Sequence, residues 1–204
     1  VAALHSAPGS ESGATIGPLI NPAAVEKVAC HLDDALAKGA RVLASGSGRS
    51  DGNFVHAVVL AGARPDMLVA DEETFGPVAP LFRFGDEDEA IAMANATPFG
   101  LASYFYTRDL ARSFRVAERL EAGMVVLNTG SIAMEMAPFG GIKQSGIGRE
   151  GLRTCLDYAR PDCQEFRGCR VLAQSACAEQ PHHHGIWFSH HRDRSQAGRA
   201  RAIF

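Results

Sequence analysis

The chain has 204 residues, 46% of them hydrophobic and 21% charged, a composition that can bury a substantial core and predicts a folded, globular protein. A formal net charge of -3 provides no basic field to draw nucleic acid or anionic lipid. No apolar run approaches the roughly 20 residues that cross a bilayer, so neither a nucleic-acid nor a membrane partner is expected.

The start, Val1-Ala-Ala-Leu-His-Ser6, has no Met and no charged region ahead of an apolar block, so it reads as the beginning of a fragment and not as a signal peptide. Cys30 stands alone in the body, while Cys155, Cys163, Cys169 and Cys177 crowd the last quarter. An odd total at irregular spacing argues against a disulfide framework and fits a reducing cytoplasm.

Asn21-Pro22 predicts a helix start, a capping side chain followed by proline where no donor is needed. Val25, Val28, Leu32 and Leu36 then recur at helical spacing, and Gly39 can supply a left-handed stop. Cys30 lies on or near that stripe and reads as a small core residue. Residues 41–46 and 54–60 predict strands, as do residues 78–84, where Pro80 suits an edge or a bulge. Asp86 with Glu89 makes a capping-box-like start for a helix through Asn95, turning Ile91 and Ala94 inward.

Residues 101–107 predict another strand. Asp109 caps a helix with Leu110, Phe114, Ala117 and Leu120 on one stripe, ended by Gly123. Met124-Val-Val-Leu-Asn128 is a short apolar run of the buried parallel kind. Strands alternating with helices over roughly a hundred residues predict an α/β domain, a mainly parallel sheet flanked by helices. After Gly151 the periodicity fades into Pro181-His-His-His-Gly185 and His190-His-Arg-Asp-Arg194. No element is predicted beyond residue 160, and the segment reads as a poorly ordered or out-of-frame tail. The expected division is a divergent segment 1–14, a folded body 15–151 and a tail 152–204.

Gly146-Ile-Gly-Arg-Glu-Gly151 matches the dinucleotide-binding spacing of glycines literally, yet a turn-rich loop precedes it and no βαβ pattern follows, so a tight surface turn is the plainer reading. Glu72 and Glu73 could form an acid–base pair, but neighbours in an extended segment point to opposite faces, which argues against a shared proton. Alone, Glu73 reads as a solvated loop charge, and Phe139 equally as a core aromatic. His182, His183, His184, His190 and His191 could bind a transition metal. With no cysteine or carboxylate at finger spacing, a flexible His-rich segment is the simpler reading, and no metal site is assigned.

Two longer strings say more. Ala137-Pro-Phe-Gly-Gly-Ile-Lys-Gln-Ser-Gly-Ile-Gly-Arg-Glu-Gly151 and Glu72-Glu-Thr-Phe-Gly-Pro77 together resemble the aldehyde dehydrogenase superfamily. Phe82-Arg-Phe84 and Tyr104-Phe-Tyr-Thr-Arg-Asp109 favour the succinate-semialdehyde branch. The resemblance runs from about residue 15 to 151 and implies part of a catalytic domain. It implies oxidation of a small-molecule aldehyde, succinate semialdehyde or a similar semialdehyde, with NAD or NADP, in a family of homo-oligomers.

By that resemblance, Glu73 accepts hydrogen bonds from the nicotinamide ribose hydroxyls, Phe75 packs beside the nicotinamide, and Phe139 lines the aldehyde's access channel. Residues 128–138 resemble the substrate-reading loop, but Ala133 stands where the family usually places a serine for the distal carboxylate. Losing that donor removes about 1.5–3 kcal/mol, and Ser131 could take its place. The family's nucleophilic cysteine in Gly-Gln-x-Cys, its glutamate base and its cofactor domain precede the segment resembling Gly17-Pro-Leu-Ile20, and none of these motifs occurs in the 204 residues. No catalytic residue is therefore assigned. The chain is expected to be inactive alone, with a silent partner subunit or a His-rich metal binder as alternatives.

Overall fold

The computed structural model describes residues 1–132 and 138–150, together with the backbone of three later strands. They divide into two compact units that change over between Arg83 and Phe84.

In the first unit, β1 (His5–Ser6) precedes α1 (Pro22–Ala37). Asn21 Oδ1 accepts from the Ala24 amide at 2.8 Å, so the expected cap forms. The buried face of α1 carries Val28, His31 and Ala35, while Leu36 and Cys30 are exposed. This corrects the stripe expected from apolar residues alone. Both ring nitrogens of His31 find partners, so a polar side chain can occupy the inward position.

β2 (Arg41–Ser45) and the short β3 (Ser47–Gly48) lead to β4 (Val58–Ala63), then the single turn α2 (Leu68–Asp71) and β5 (Val78–Phe84). β2 pairs antiparallel with β4, and β4 pairs parallel with β5 with Leu60 opposite Pro80 and an irregularity between Ala61 and Ala63. The strand expected from residue 54 begins only at Val58. Residues 53–56 give their hydrogen bonds to earlier segments instead: Leu19 N to Asn53 O at 2.7 Å, Ser6 Oγ to Val55 O at 2.9 Å, and His56 Nε2 with Gly48 O at 3.0 Å. Ser6 and Ala7 are buried here, so the first residues of the chain pack into this unit.

The second unit contains α3 (Glu87–Asn95), β6 (Ala102–Phe105), α4 (Leu110–Arg119) and β7 (Met124–Leu127). Asp86 Oδ1 accepts from Glu89 N at 2.9 Å, and Glu89 Oε2 reaches back to Gly85 N at 2.6 Å. That reciprocal pairing is the capping chemistry the sequence signals. β6 and β7 run parallel in the register Ala102–Met124 to Phe105–Leu127, and every side chain of β7 is buried. Burial of each such apolar side chain contributes about 1.5–3 kcal/mol. Tyr104, Met124, Val126 and Ile132 form a core cluster.

α4 buries Ser113, Val116 and Ala117, with Leu120 just beyond its end, and leaves Leu110 and Phe114 exposed. This differs from the expected stripe because Ser113, whose Oγ donates to the Asp109 carbonyl at 3.0 Å, takes an inward position. On the other side Arg112 and Arg115 bind Glu87, and Arg119 binds Asp88. Beyond residue 160, where the sequence predicts nothing, short strands lie at Leu172–Gln174, Trp187–Ser189 and Ala200–Ile203. The first of these, β8, runs parallel beside β7.

Candidate cofactor and substrate loops

The segment of residues 72–77 follows α2, whose first amide donates to Asp34 Oδ2 at 2.8 Å. Lys38, hydrogen-bonded to Asp34, and the Leu68 amide hold that carboxyl below the usual range. Past α2, three alternate residues turn to α1. Glu72 Oε2 lies 3.4 Å from His31 Nε2 and 3.8 Å from Lys27 Nζ. Thr74 Oγ1 lies 3.0 Å from His31 Nδ1. Gly76 packs so closely on Val28 that a Cβ there would run into Val28 Cγ2.

The intervening residues are left to solvent: Glu73 is exposed, and Phe75 is 81% exposed. Among the described residues the Glu73 carboxylate has no hydrogen-bond or ion-pair partner. Phe75 has a φ of +46°, a left-handed conformation that costs a non-glycine residue about 1–3 kcal/mol and concentrates where geometry serves a site. Glu72 and Glu73 thus occupy different surroundings. His31 is absent from the sequence reading; its only signal there is a polar residue three positions after Val28 on an apolar helix face.

In the second unit, the loop of residues 139–150 closes on itself. Phe139 and Glu150 exchange both backbone hydrogen bonds, at 2.8 and 2.6 Å. Arg149 Nη1 donates to the Gly141 and Gly148 carbonyls, both at 2.8 Å. The loop is anchored through Gly100, whose carbonyl accepts from Ile142 N and Gly123 N, both at 2.9 Å. A Cβ on Gly123 would meet the Gly140 carbonyl. Within the motif, a Cβ on Gly140 would likewise meet the Gly148 carbonyl, and close backbone approach is the physical reason for glycine at both positions.

Phe139 is 39% exposed at the loop's base. A 3₁₀ turn (Lys143–Ser145), not a strand, precedes Gly146 and Gly148, which have φ of +98° and +96°. The G-x-G pattern is therefore a surface turn and not a dinucleotide cradle.

β7 ends at Asn128, whose side chain bonds both backbone groups of Thr107. Ser131, in the loop that follows, is half-buried, its amide 3.4 Å from Thr129 Oγ1. Ala133 lies outside the described residues, as do His182, His183, His184, His190 and His191. Among the described residues, no group of three His, Cys, Asp or Glu side chains could hold a metal, and no helix is long and apolar enough to cross a membrane.

An α/β framework with parallel strands thus carries one loop held to α1 by side chains and another closed by backbone hydrogen bonds. The family model described as aldehyde dehydrogenase family matches residues 1–160, and the chain belongs to that family.

Among its relatives, the glutarate-semialdehyde dehydrogenase of Pseudomonas putida is 60% identical over 151 residues, covering 74% of this chain and 31% of the relative. The NADP-dependent succinate-semialdehyde dehydrogenase of Escherichia coli is 57% identical over 152 residues, covering 74% and 32%. The crystal structure of succinate-semialdehyde dehydrogenase from Burkholderia pseudomallei superposes with a TM-score of 0.69 at 59% identity, covering 72% of this chain and 31% of that one. The chain thus spans about a third of the length of these relatives.

Proposed function

We propose that these residues serve the NAD(P)-dependent oxidation of a short aldehyde bearing a distal carboxylate, succinate semialdehyde or its near homologues, to the acid. The observation that carries this reading is the Glu73 carboxylate, without a partner among the described residues, beside the exposed Phe75 on a loop pinned from its other side. The donor set suits a nicotinamide nucleotide. A carboxylate can accept from both hydroxyls of a ribose, and an exposed aromatic can pack beside a flat ring. When bound, NAD or NADP supplies the hydride acceptor.

Phe139 gives the access channel an apolar wall that strips water from the aldehyde. Ser131 provides the hydroxyl for the distal carboxylate, in place of the donor missing at Ala133. The names of the relatives support a dicarboxylic semialdehyde as substrate. The family setting favours a cytoplasmic homo-oligomer.

The 204 residues contain no Gly-Gln-x-Cys, so the chain by itself turns over nothing. Purified chain mixed with succinate semialdehyde and NAD or NADP should produce no absorbance of reduced cofactor. Clear turnover would give one of the five cysteines the nucleophile's role and overturn that assignment.

A further inference from the structure

We infer that His31 is a positioning residue for the loop that presents Glu73 and Phe75. The assignment to a cofactor rests on the reading given above; the positioning rests on geometry alone.

His31 lies on the buried face of α1 and is 2% exposed. Its two ring nitrogens meet the two neighbours of Glu73: Nδ1 is 3.0 Å from Thr74 Oγ1, and Nε2 is 3.4 Å from Glu72 Oε2. A single imidazole therefore spans the residue between them. One turn earlier on the same helix, Val28 closes on Gly76 with no room for a side chain.

Residues 72, 74 and 76 are thus held against α1. With Glu72 and Thr74 tied to His31 and Gly76 against Val28, Glu73 and Phe75 are left on the solvent side. The rigid ring ties both flanking residues to α1, so the backbone that carries Glu73 is positioned before any ligand arrives. Both ring nitrogens would need partners in any core; here the two partners are the residues that flank the exposed Glu73.

The test uses the full 204-residue chain. Amide hydrogen exchange is followed by mass spectrometry for the wild type, His31→Phe, His31→Gln and Thr74→Val, alongside titration with nicotinamide mononucleotide. His31→Phe keeps the ring's bulk and removes its hydrogen bonds. Exchange across residues 72–77, read at the Glu72 amide that donates to the Leu68 carbonyl at 2.9 Å, should rise at least tenfold, with peptides of β4 and of the second unit unchanged. Thr74→Val should produce a smaller rise without touching the core, and remains informative if the phenylalanine variant fails to fold. His31→Gln, which can still reach Thr74, should restore part of the protection.

Unchanged exchange in residues 72–77 for both His31→Phe and Thr74→Val would overturn the proposal. So would a uniform rise across the chain in Thr74→Val. The cofactor reading has its own control. If Glu73→Gln binds the mononucleotide as the wild type does while His31→Phe loosens the loop, the anchor stands and Glu73 is not the ribose acceptor. If both variants weaken binding about tenfold, both the anchor and its purpose are supported.

Discussion

Asn128 completes the backbone of Thr107: its Oδ1 accepts from the Thr107 amide at 2.9 Å and its Nδ2 donates to the Thr107 carbonyl at 2.8 Å. The pair joins the ends of β6 and β7 where the proposed substrate loop departs. It also stabilises Asn128 at a φ of +57°, a conformation that asparagine tolerates better than most residues.

Asn128→Ala removes both hydrogen bonds, each contributing about 0.5–1.5 kcal/mol, and leaves a less suitable residue in the left-handed region. The expected loss of stability is about 2–3 kcal/mol, read from the urea midpoint at constant slope. Asn128→Asp keeps the acceptor and loses the donor, so it should fall between the two. An alanine variant as stable as the wild type would show that the pair holds nothing in place.

Glycine is required at Gly123 and Gly146 for different reasons. A Cβ on Gly123 strikes the backbone of the loop carrying Phe139, whereas Gly146 has open space and only a φ of +98° to protect. Gly123→Ala should cost about 1–3 kcal/mol by forcing packed backbone apart, and it should expose the Phe139 loop to proteolysis. Gly146→Ala should cost about 1 kcal/mol through backbone strain alone. Equal costs in thermal unfolding would mean that close approach is not what demands glycine at Gly123.

Ion pairs link α3 and α4, and they carry a pH signature. The Arg115 guanidinium, with Arg112 beside it, holds the Glu87 carboxyl down to about 2 from an ordinary 4.5. The folded value lies below the unfolded one, so the stabilisation is fully present above about 4.5 and is lost as pH falls toward about 2. Arg115 is half-exposed, which limits the gain by solvent screening. Glu87→Gln should lower stability by about 1 kcal/mol at pH 7, and the gap to wild type should narrow steadily from pH 4.5 toward pH 2. A gap that stays constant across that range would separate the glutamate's role from its charge.

The sequence by itself determined whatever depends on a few consecutive residues. Asn21, Asp86 and Asp109 cap their helices because a side-chain oxygen reaches an amide three positions on, whatever surrounds them. Met124 to Leu127 announce a strand buried on both faces by being apolar throughout. The two family strings could be read because they are long enough to exclude chance.

Only the tertiary structure decided which side of each helix faces inward. Counting apolar residues favours Leu36 over His31 and Phe114 over Ser113, since nothing near His31 in sequence reveals Thr74, a partner 43 residues away. The start of β4 was equally hidden, because the groups that compete for residues 53–56 belong to segments dozens of residues earlier. The glycines of the Phe139 loop carry the same lesson. Gly146 and Gly148, whose spacing imitates a nucleotide cradle, stand in open space after a 3₁₀ turn, while the glycine that packing demands is the distant Gly123, met by the backbone of Gly140. Contacts between distant segments are set by the packing of the whole unit, and short-range pattern carries no record of them.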